Sequence, residues 1–126
     1  MKKFAIYQIQ LTDAEVNRIN ETCDFNSVPK KALALKMDVD FAGHKIGGYA
    51  DEAMSLGYYS HVANIEAKDF DQVFEIGNIG PEQNIERLGR MHSVSVGDVI
   101  VDEEGSMAVV APVGFVQFGF RPALAA

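Results

Sequence analysis

The chain has 126 residues, the length of one ordinary domain. With 48% hydrophobic and 23% charged residues it has the composition of a folded globular protein, which excludes disorder as the starting expectation. Eleven basic against eighteen acidic residues give a net charge of -7, and this disfavours a protein that binds nucleic acid mainly by neutralising phosphates.

Cys23 is the single cysteine, so the chain has neither an internal disulfide nor a multi-cysteine metal site. The three histidines also lack metal-ligand spacing, and we predict no metal ion and no other cofactor. A lone cysteine is typical of reducing compartments, and no apolar run reaches the roughly 20 residues that a membrane helix needs. We therefore expect a cytoplasmic protein that does not contact a membrane.

Residues 3–8 predict a first strand, because apolar side chains occupy both of its faces. A first helix is expected next, since Thr12 and Glu15 have the spacing of a capping box. Apolar residues then recur at helical spacing as far as Cys23. We interpret Cys23 as a buried core thiol, because the following Asp24 opposes formation of a reactive thiolate.

A second helix is predicted over residues 27–37, with Ser27 as its N-cap. Residues 38–41 alternate polar and apolar side chains, which predicts a short strand. Glycines make residues 43–48 irregular in this interpretation, and a third, short helix is predicted over residues 50–56.

Residues 58–66 predict a strand whose odd-numbered side chains share one face, so His61 is interpreted as a packed or half-exposed strand residue. A fourth helix follows, because Asp69 and Gln72 repeat the capping-box spacing ahead of an apolar stripe. Residues 81–88 are expected to form one more short helix.

The last third of the chain is rich in valine and aromatic residues. Residues 91–101, 107–113 and 116–120 read as strands, with a turn over residues 102–106, and this pattern predicts a β-hairpin or small meander.

Helical signals lie in the middle of the chain and strands at both ends, without regular β-α-β alternation. This order predicts an α+β fold with a small mixed or antiparallel sheet, made of the N-terminal strand and the C-terminal hairpin or meander, packed with three to five short helices. A single domain is expected over residues 1–121, followed by a short, frayed tail over residues 122–126.

The negative charge is concentrated in the second half. Residues 1–63 carry seven basic and eight acidic side chains, whereas residues 64–126 carry four and ten. If the protein docks on a partner, we expect the acidic residues of this half to form the binding surface; the alternative is a solvated face and an ordinary turn. The candidate binding residues are Asp69, Asp71, Glu75, Asp102, Glu103 and Glu104.

The segment that begins at His92 reads HSVSVGDV. It resembles the H-S-x-S-V-x-D-V signature of the YodL-like domains of phages and bacterial mobile elements. The predicted strand before it, the helix that follows Asp69 and the Gly114-Phe115 pair stand in the order found in that family, and the resemblance covers roughly residues 58–118. Gly97 departs from the second serine that the family usually has before the aspartate. The resemblance implies a genomic context and no particular reaction.

Four residues of this signature include the side-chain types of a hydrolytic triad: His92, Ser93, Ser95 and Asp98. On a strand, however, Ser93 and Ser95 would point to one side and His92 to the other. The structural alternative is that both serines bond to local backbone and that Gly97 and Asp98 form a bend. A Gly-Asp pair ahead of an apolar strand also resembles small RNA-binding barrels of the ASCH and PUA kind.

The chain ends in Leu124, Ala125 and Ala126, which resembles the tag that bacteria append to stalled nascent chains and that the ClpX unfoldase reads. This resemblance implies a degradation signal, whereas the alternative is an ordinary frayed terminus.

The sequence favours a non-catalytic accessory protein, encoded by a phage or mobile element and present in a bacterial or phage-infected cell, that binds a host or phage macromolecule. A protein partner is expected in preference to nucleic acid, and a homodimer is a further option, because residues 116–120 lack the charges that usually blunt an exposed sheet edge. The alternative is a small enzyme or RNA-binding module that uses residues 92–98.

Overall fold

In the computed structural model, which describes residues 1–120, the chain forms six strands and four α-helices. The strands are β1 (Lys2–Ile9), β2 (Tyr59–Ala67), β3 (Ile85–Arg87), β4 (Val99–Val101), β5 (Ser106–Val110) and β6 (Phe115–Phe120). The helices are α1 (Asp13–Thr22), α2 (Pro29–Asp38), α3 (Ile46–Ser55) and α4 (Phe70–Asn78). Neighbouring strands are antiparallel, and their order across the sheet is β3-β2-β1-β4-β5-β6.

The N-terminal strand lies in the middle of this sheet, between β2 and the meander of β4, β5 and β6. A central strand is covered on both faces, and β1 has apolar side chains for both: Phe4 and Ile6 pack on one side, Ala5 and Tyr7 on the other. The predicted α+β fold, with the first strand joined to a C-terminal meander, is therefore confirmed.

Helices cover the two faces of the sheet. Val73 and Ile76 of α4 pack with Phe4 and Ile65 on one face. Met37 of α2 and Ile46 of α3 pack on the other face, against β4, β5 and β6, and Gly47 of α3 faces Val116 and Phe118 of β6. No helix within residues 1–120 is long and apolar enough to cross a membrane.

A bulge in β2 changes which of its side chains share a face. Ile6 pairs with Ala63 but Tyr7 pairs with His61, so Val62 is an extra residue on this strand. Tyr59 therefore lies on the α2/α3 face, while Ala63 lies on the α4 face. The prediction of one common face for the odd-numbered residues was wrong, but His61 is a half-buried strand residue, as expected, and its ring stacks on Tyr7.

The first helix forms where its capping box predicts, but it has no buried residue. Cys23 is its C-cap, with a left-handed φ of 53°, and its thiol is exposed. The prediction of a core thiol was wrong, because α1 buries none of its residues and its C-cap is therefore exposed as well.

The strand expected over residues 38–41 is absent, since α2 extends to Asp38 and the next residues turn. Ser27 does not cap α2, whose N-cap is Val28. Asp40 instead prepares the next helix: its Oδ2 accepts hydrogen bonds from the backbone N–H groups of Lys45 and Ile46, at 2.9 and 2.7 Å. With this carboxylate at its start, α3 begins four residues earlier than predicted and includes two glycines.

The helix expected over residues 81–88 is also absent. A 3-10 turn over Glu82–Asn84 leads into β3, which pairs Ile85 with Ile65 of β2. Leu88, at the end of this stretch, is 51% exposed. Of the predicted strand over residues 91–101, only Val99–Val101 is a strand. The turn after Val101 and the two strands that follow it are confirmed, although the first of them ends at Val110 and not at residue 113.

Candidate functional site

The signature segment, residues 92–98, has no helix or strand, yet part of it is buried. Val94 is 1% exposed and packs in the core on the α4 face, whereas Val96 packs against the core on the opposite face. Gly97 has a φ of 92°, and Asp98 N donates a hydrogen bond to Ser95 O at 3.1 Å. The predicted bend at Gly97 and Asp98 is thus confirmed, and glycine suits it because other residues rarely adopt this φ.

A buried glutamine of β1 ties this segment to the sheet. Gln8 is fully buried, and its side-chain Nε2 donates to His92 O at 2.9 Å while its Oε1 accepts from His92 N at 3.2 Å. The second hydrogen of Nε2 is donated to Asp98 Oδ2 at 3.0 Å. The amide therefore replaces a neighbouring strand for the backbone of His92, with both of its donors and its acceptor in use.

The Asp98 side chain is 3% exposed and holds the bend together. Its Oδ2 accepts hydrogen bonds from Ser95 N at 2.9 Å and from Gln8. Burial raises the pKa of Asp98 to about 6, against the lowering effect of these hydrogen bonds and of the nearby His92, and the negative charge of Asp38 raises it further. Within residues 1–120 its second oxygen, Oδ1, accepts no hydrogen bond from the protein.

Tyr59 closes the same site from β2. Its hydroxyl donates to Gly97 O at 2.6 Å and lies 3.7 Å from the sulfur of Met37. Burial, together with the negative charge of Asp98, raises the pKa of this tyrosine well above its usual value. The hydroxyl therefore stays protonated and serves as a hydrogen-bond donor to the bend.

Three of the four signature residues singled out from the sequence line one small cleft. His92, Ser95 and Asp98 surround about 160 Å³, together with Asp38 and Met37 of α2. Ser93 lines a separate cleft of about 220 Å³, which includes Asn78 and Arg87. Ser93 is thus separated from Ser95 and Asp98, whereas His92 lines both clefts.

The geometry of these residues differs from a hydrolytic triad and, for the two serine hydroxyls, also from the structural alternative. The His92 Nδ1 lies 2.8 Å from Ser93 O, and since a carbonyl only accepts, Nδ1 donates its proton there. Among the described residues, neither serine hydroxyl bonds to this ring, so no nucleophile–base pair is formed. The hydroxyls of Ser93 and Ser95 are exposed and do not bond to local backbone, so that prediction was wrong; Ser95 contributes its backbone N–H instead.

Four of the six acidic candidates meet at one place, which we call the acidic cleft. Its volume is about 260 Å³ and its lining residues are Lys2, Phe4, Lys68, Asp69, Phe70, Asp102, Glu103 and Glu104. The cleft forms because Asp69 is the N-cap of α4 and the β4–β5 turn lies next to the start of β1. Its carboxylates outnumber its ammonium groups by four to two.

Several of these carboxylates are held by the backbone. Asp69 Oδ1 accepts from Gln72 N at 2.9 Å, and Asp102 Oδ1 accepts from the backbone N–H groups of Glu104 and Ser106, each at 2.9 Å. Glu103 accepts from Lys3 N at 3.3 Å. Asp69 and Asp102 therefore have local structural roles, while Glu104 is exposed and makes no side-chain hydrogen bond within residues 1–120.

The other two acidic candidates lie elsewhere along α4. Asp71 lines a cleft with Phe74 and Phe115, and Glu75 is exposed on the helix. No group of three or more His, Cys, Asp or Glu side chains in the described part of the chain is arranged to hold a metal ion. The candidate degradation signal at Leu124, Ala125 and Ala126 lies outside the described residues, as does the predicted tail over residues 122–126.

Sequence reasoning missed Gln8, the residue on which the signature segment depends. The signal was present, because Gln8 stands at an alternate position of a strand whose neighbours on that face, Phe4 and Ile6, are apolar. A polar side chain at such a position must find hydrogen-bond partners in the core. What the sequence does not tell is that the partners are His92 and Asp98.

Comparison with known protein families, with curated proteins and with solved structures finds no match to this chain. The resemblance of residues 92–98 to the YodL-like signature therefore stays a prediction.

Proposed function

We propose that this protein is a non-catalytic accessory protein that binds a macromolecular partner at the acidic cleft. The observation that carries the proposal is the meeting of two acidic segments, Asp69 and residues 102–104, beside the partly buried ring of Phe70. Carboxylates next to aromatic rings suit a protein segment with basic and apolar side chains. They repel phosphates, so the proposed partner is a protein and not a nucleic acid.

The resemblance to YodL-like domains supports a genomic origin for this protein and, through it, a source for the partner. It favours a protein encoded by a phage or mobile element, and hence a host or phage protein as the partner. The single, exposed Cys23 suits a reducing compartment and supports a cytoplasmic location in a bacterial or phage-infected cell.

The test is a pull-down from host lysate with charge-reversed baits. Glu103→Lys with Glu104→Lys reverses two of the three exposed carboxylates of the acidic cleft and leaves Asp69, which caps α4, in place. The matched control is Asp51→Lys with Glu52→Lys, an adjacent exposed acidic pair in α3 that changes the net charge by the same amount. We expect a protein that wild type and control retain, that the cleft variant loses, and whose retention weakens as salt is raised.

Equal retention by the cleft variant would contradict the proposal, because binding would then lie elsewhere. Recovery of the bait alone would also contradict it. The control shows whether binding depends on where the carboxylates lie or only on the net charge of the protein.

A second function is supported by the signature segment. The buried Asp98, with its pKa raised to about 6, shares a cleft with the exposed ring of His92 and with Ser95, and perturbed carboxyl groups in clefts are typical of functional sites. A small enzyme or RNA-binding module would use these residues.

His92→Ala tests this second function without disturbing the backbone bonds to Gln8. Hydrolysis of simple ester and phosphodiester substrates, or binding of single-stranded RNA, that is present in wild type and lost in His92→Ala would favour it over the accessory protein. Equal signals from the two proteins would remove it.

We also propose that the C-terminal residues Leu124, Ala125 and Ala126 are read by a ClpX-type unfoldase. Changing Ala125 and Ala126 to Asp is expected to lengthen the half-life of the protein in a bacterial cell, since an added charge spoils the apolar terminus. An unchanged half-life contradicts this part of the proposal.

A further inference from the structure

The two edges of the sheet differ in length and charge. The outer strand β3 has three residues and carries Glu86 and Arg87, and such short, charged edges resist pairing with another chain. The outer strand β6 is twice as long, and residues 106–120 contain no charged side chain at all. In a chain of net charge -7, the strand β6 itself therefore presents no like charge to a second copy, while α3 packs over one of its faces, with Gly47 against Val116 and Phe118.

The register of the hairpin shows which backbone groups point outward. Ala111 N donates to Gly114 O at 2.9 Å, and Val116 is paired with Val109. Hydrogen-bonded and non-hydrogen-bonded pairs alternate along an antiparallel ladder, so the flanking residues Phe115 and Gln117 direct their N–H and C=O groups away from β5. Asp71 of α4 shares a cleft with Phe115 at the start of β6, on the face of the sheet that α4 covers.

We infer that two copies of the chain pair through β6, antiparallel, about a two-fold axis at Val116. Phe115 of each copy then stands opposite Gln117 of the other, and both outward N–H and C=O groups of these residues are satisfied. A two-fold arrangement needs a self-complementary surface, and an uncharged strand facing itself meets this requirement. The surface shares no residue with the acidic cleft and is independent of the function proposed there.

A bulge limits the paired length. The register with β5 shifts between Met107 and Ala108, so Phe118 is an extra residue on β6. Bulges end regular pairing at sheet edges. The straight part of the edge therefore centres on Phe115, Val116 and Gln117, and a dimer that covers it leaves no equivalent edge for further growth.

Gln117→Pro tests the pairing. The Gln117 N–H points outward, so proline removes a bond only from the intermolecular ladder, at an edge position where proline is tolerated. The matched control Gln117→Thr keeps the N–H. In sedimentation velocity over a wide range of concentration, we expect wild type and Gln117→Thr to be dimers and Gln117→Pro to be a monomer with an unchanged circular dichroism spectrum.

A cross-link tests the register and does not depend on the proline variant folding. In a Cys23→Ser background, Val116→Cys places two thiols at the two-fold axis, in a non-hydrogen-bonded pair whose Cα separation suits a disulfide. The control is Val113→Cys, at a loop position that is 80% exposed. We expect mild oxidation to give a covalent dimer from Val116→Cys much faster than from Val113→Cys.

Wild type that stays monomeric at the highest concentration would overturn the inference, as would a folded Gln117→Pro variant that still dimerises. Equal cross-linking of the two cysteine variants would overturn the register. None of these outcomes changes the acidic cleft, so a failure here is distinguishable from a failure of the proposed function.

Discussion

The helix α1 is regular but not buried, whereas the signature segment is irregular but partly buried. The helix has a complete capping box and contributes no buried residue. The signature segment is neither helix nor strand, yet Val94 is 1% exposed and Asp98 is 3% exposed. Regular hydrogen bonding within a segment is thus a poor guide to how much the segment stabilises the fold.

The difference lies in the origin of the hydrogen bonds. In α1, Thr12 and Glu15 satisfy each other's backbone groups three residues apart. In the signature segment, the partners come from β1 through Gln8 and from α4 through Asn78, whose Nδ2 donates to Val94 O at 3.0 Å. A local cap survives partial unfolding of the rest of the molecule, whereas bonds between distant segments exist only in the folded state.

The largest expected effect is that of Gln8→Leu. Leucine has a similar volume but leaves the part-buried N–H and C=O of His92, and one acceptor position on the Asp98 carboxylate, without partners. We expect the free energy of unfolding, measured by denaturant titration, to fall by about 3 kcal/mol or more. Gln10→Leu, which removes an exposed bond to Arg90 O, is the control and should lower it by less than about 1 kcal/mol. Equal losses would show that the buried amide has no special role.

Two glycine-to-alanine substitutions show how much stability depends on the close contact between α4 and the signature segment. One is made at that contact and the other at a helix position with free space around it. A Cβ at Gly77 would lie 2.3 Å from Val94 Cγ2, whereas a Cβ at Gly48 of α3 meets nothing within 4 Å. We expect thermal or denaturant unfolding to show a loss of about 2 kcal/mol for Gly77→Ala and a gain of up to about 1 kcal/mol for Gly48→Ala. Adding Val94→Ala to Gly77→Ala should give less destabilisation than the sum of the two single changes, and additivity would argue against the contact.

The third effect is a pH dependence of stability. Burial raises the pKa of Asp98 in the folded protein from about 3.8 to about 6, so the folded state holds this proton more tightly than the unfolded chain does. The contribution of Asp98 to stability is therefore fully present in acid and is lost as the pH rises from about 4 through 6, by an amount on the order of 2 kcal/mol.

Asp98→Asn isolates this dependence, because it retains an oxygen acceptor for Ser95 and Gln8 and does not titrate. The difference in unfolding free energy between wild type and Asp98→Asn should move in favour of the variant as the pH rises from 4 to 7. A difference that stays constant would mean that the buried carboxyl group does not titrate in this range.

The smallest effect is expected in α1. Thr12→Ala removes the hydroxyl that accepts from Glu15 N, and a lost N-cap lowers stability by roughly 1 kcal/mol where the helix is packed. Since α1 has no buried residue, we expect a smaller change in the global unfolding free energy and, instead, faster amide hydrogen exchange confined to this helix. If Thr12→Ala lowered the global free energy of unfolding as much as Gln8→Leu does, α1 would contribute to stability as much as the signature segment, contrary to our expectation.

Local signals in the sequence gave correct predictions where the deciding interactions span a few residues. The capping residues Thr12 and Asp69 start helices as expected, and the turn that begins at Asp102 connects two strands as expected. Predictions failed where a distant partner decides. Asp40 caps a helix from outside it, β3 is a strand because Ile85 pairs with β2, and Cys23 is exposed because α1 does not pack on the sheet.

For the candidate sites, too, the sequence indicated the residues but not which of them lie close together. Composition located the acidity in the second half of the chain, and the motif pointed to residues 92–98, but neither indicated that Asp69 and Glu104 share a cleft or that Ser93 lies apart from Ser95. Those arrangements depend on which elements become neighbours in space.

By itself, the sequence determined the α+β class, the capped helices and the C-terminal meander, because capping boxes, turns and alternating patterns act over three to ten residues. Only the tertiary structure decided that β1 is the central strand and that its buried amide, Gln8, holds the signature segment. The physical reason is that a buried polar group is stable only with its partners in place, and partners more than eighty residues away are brought to it by the register and packing of the whole sheet.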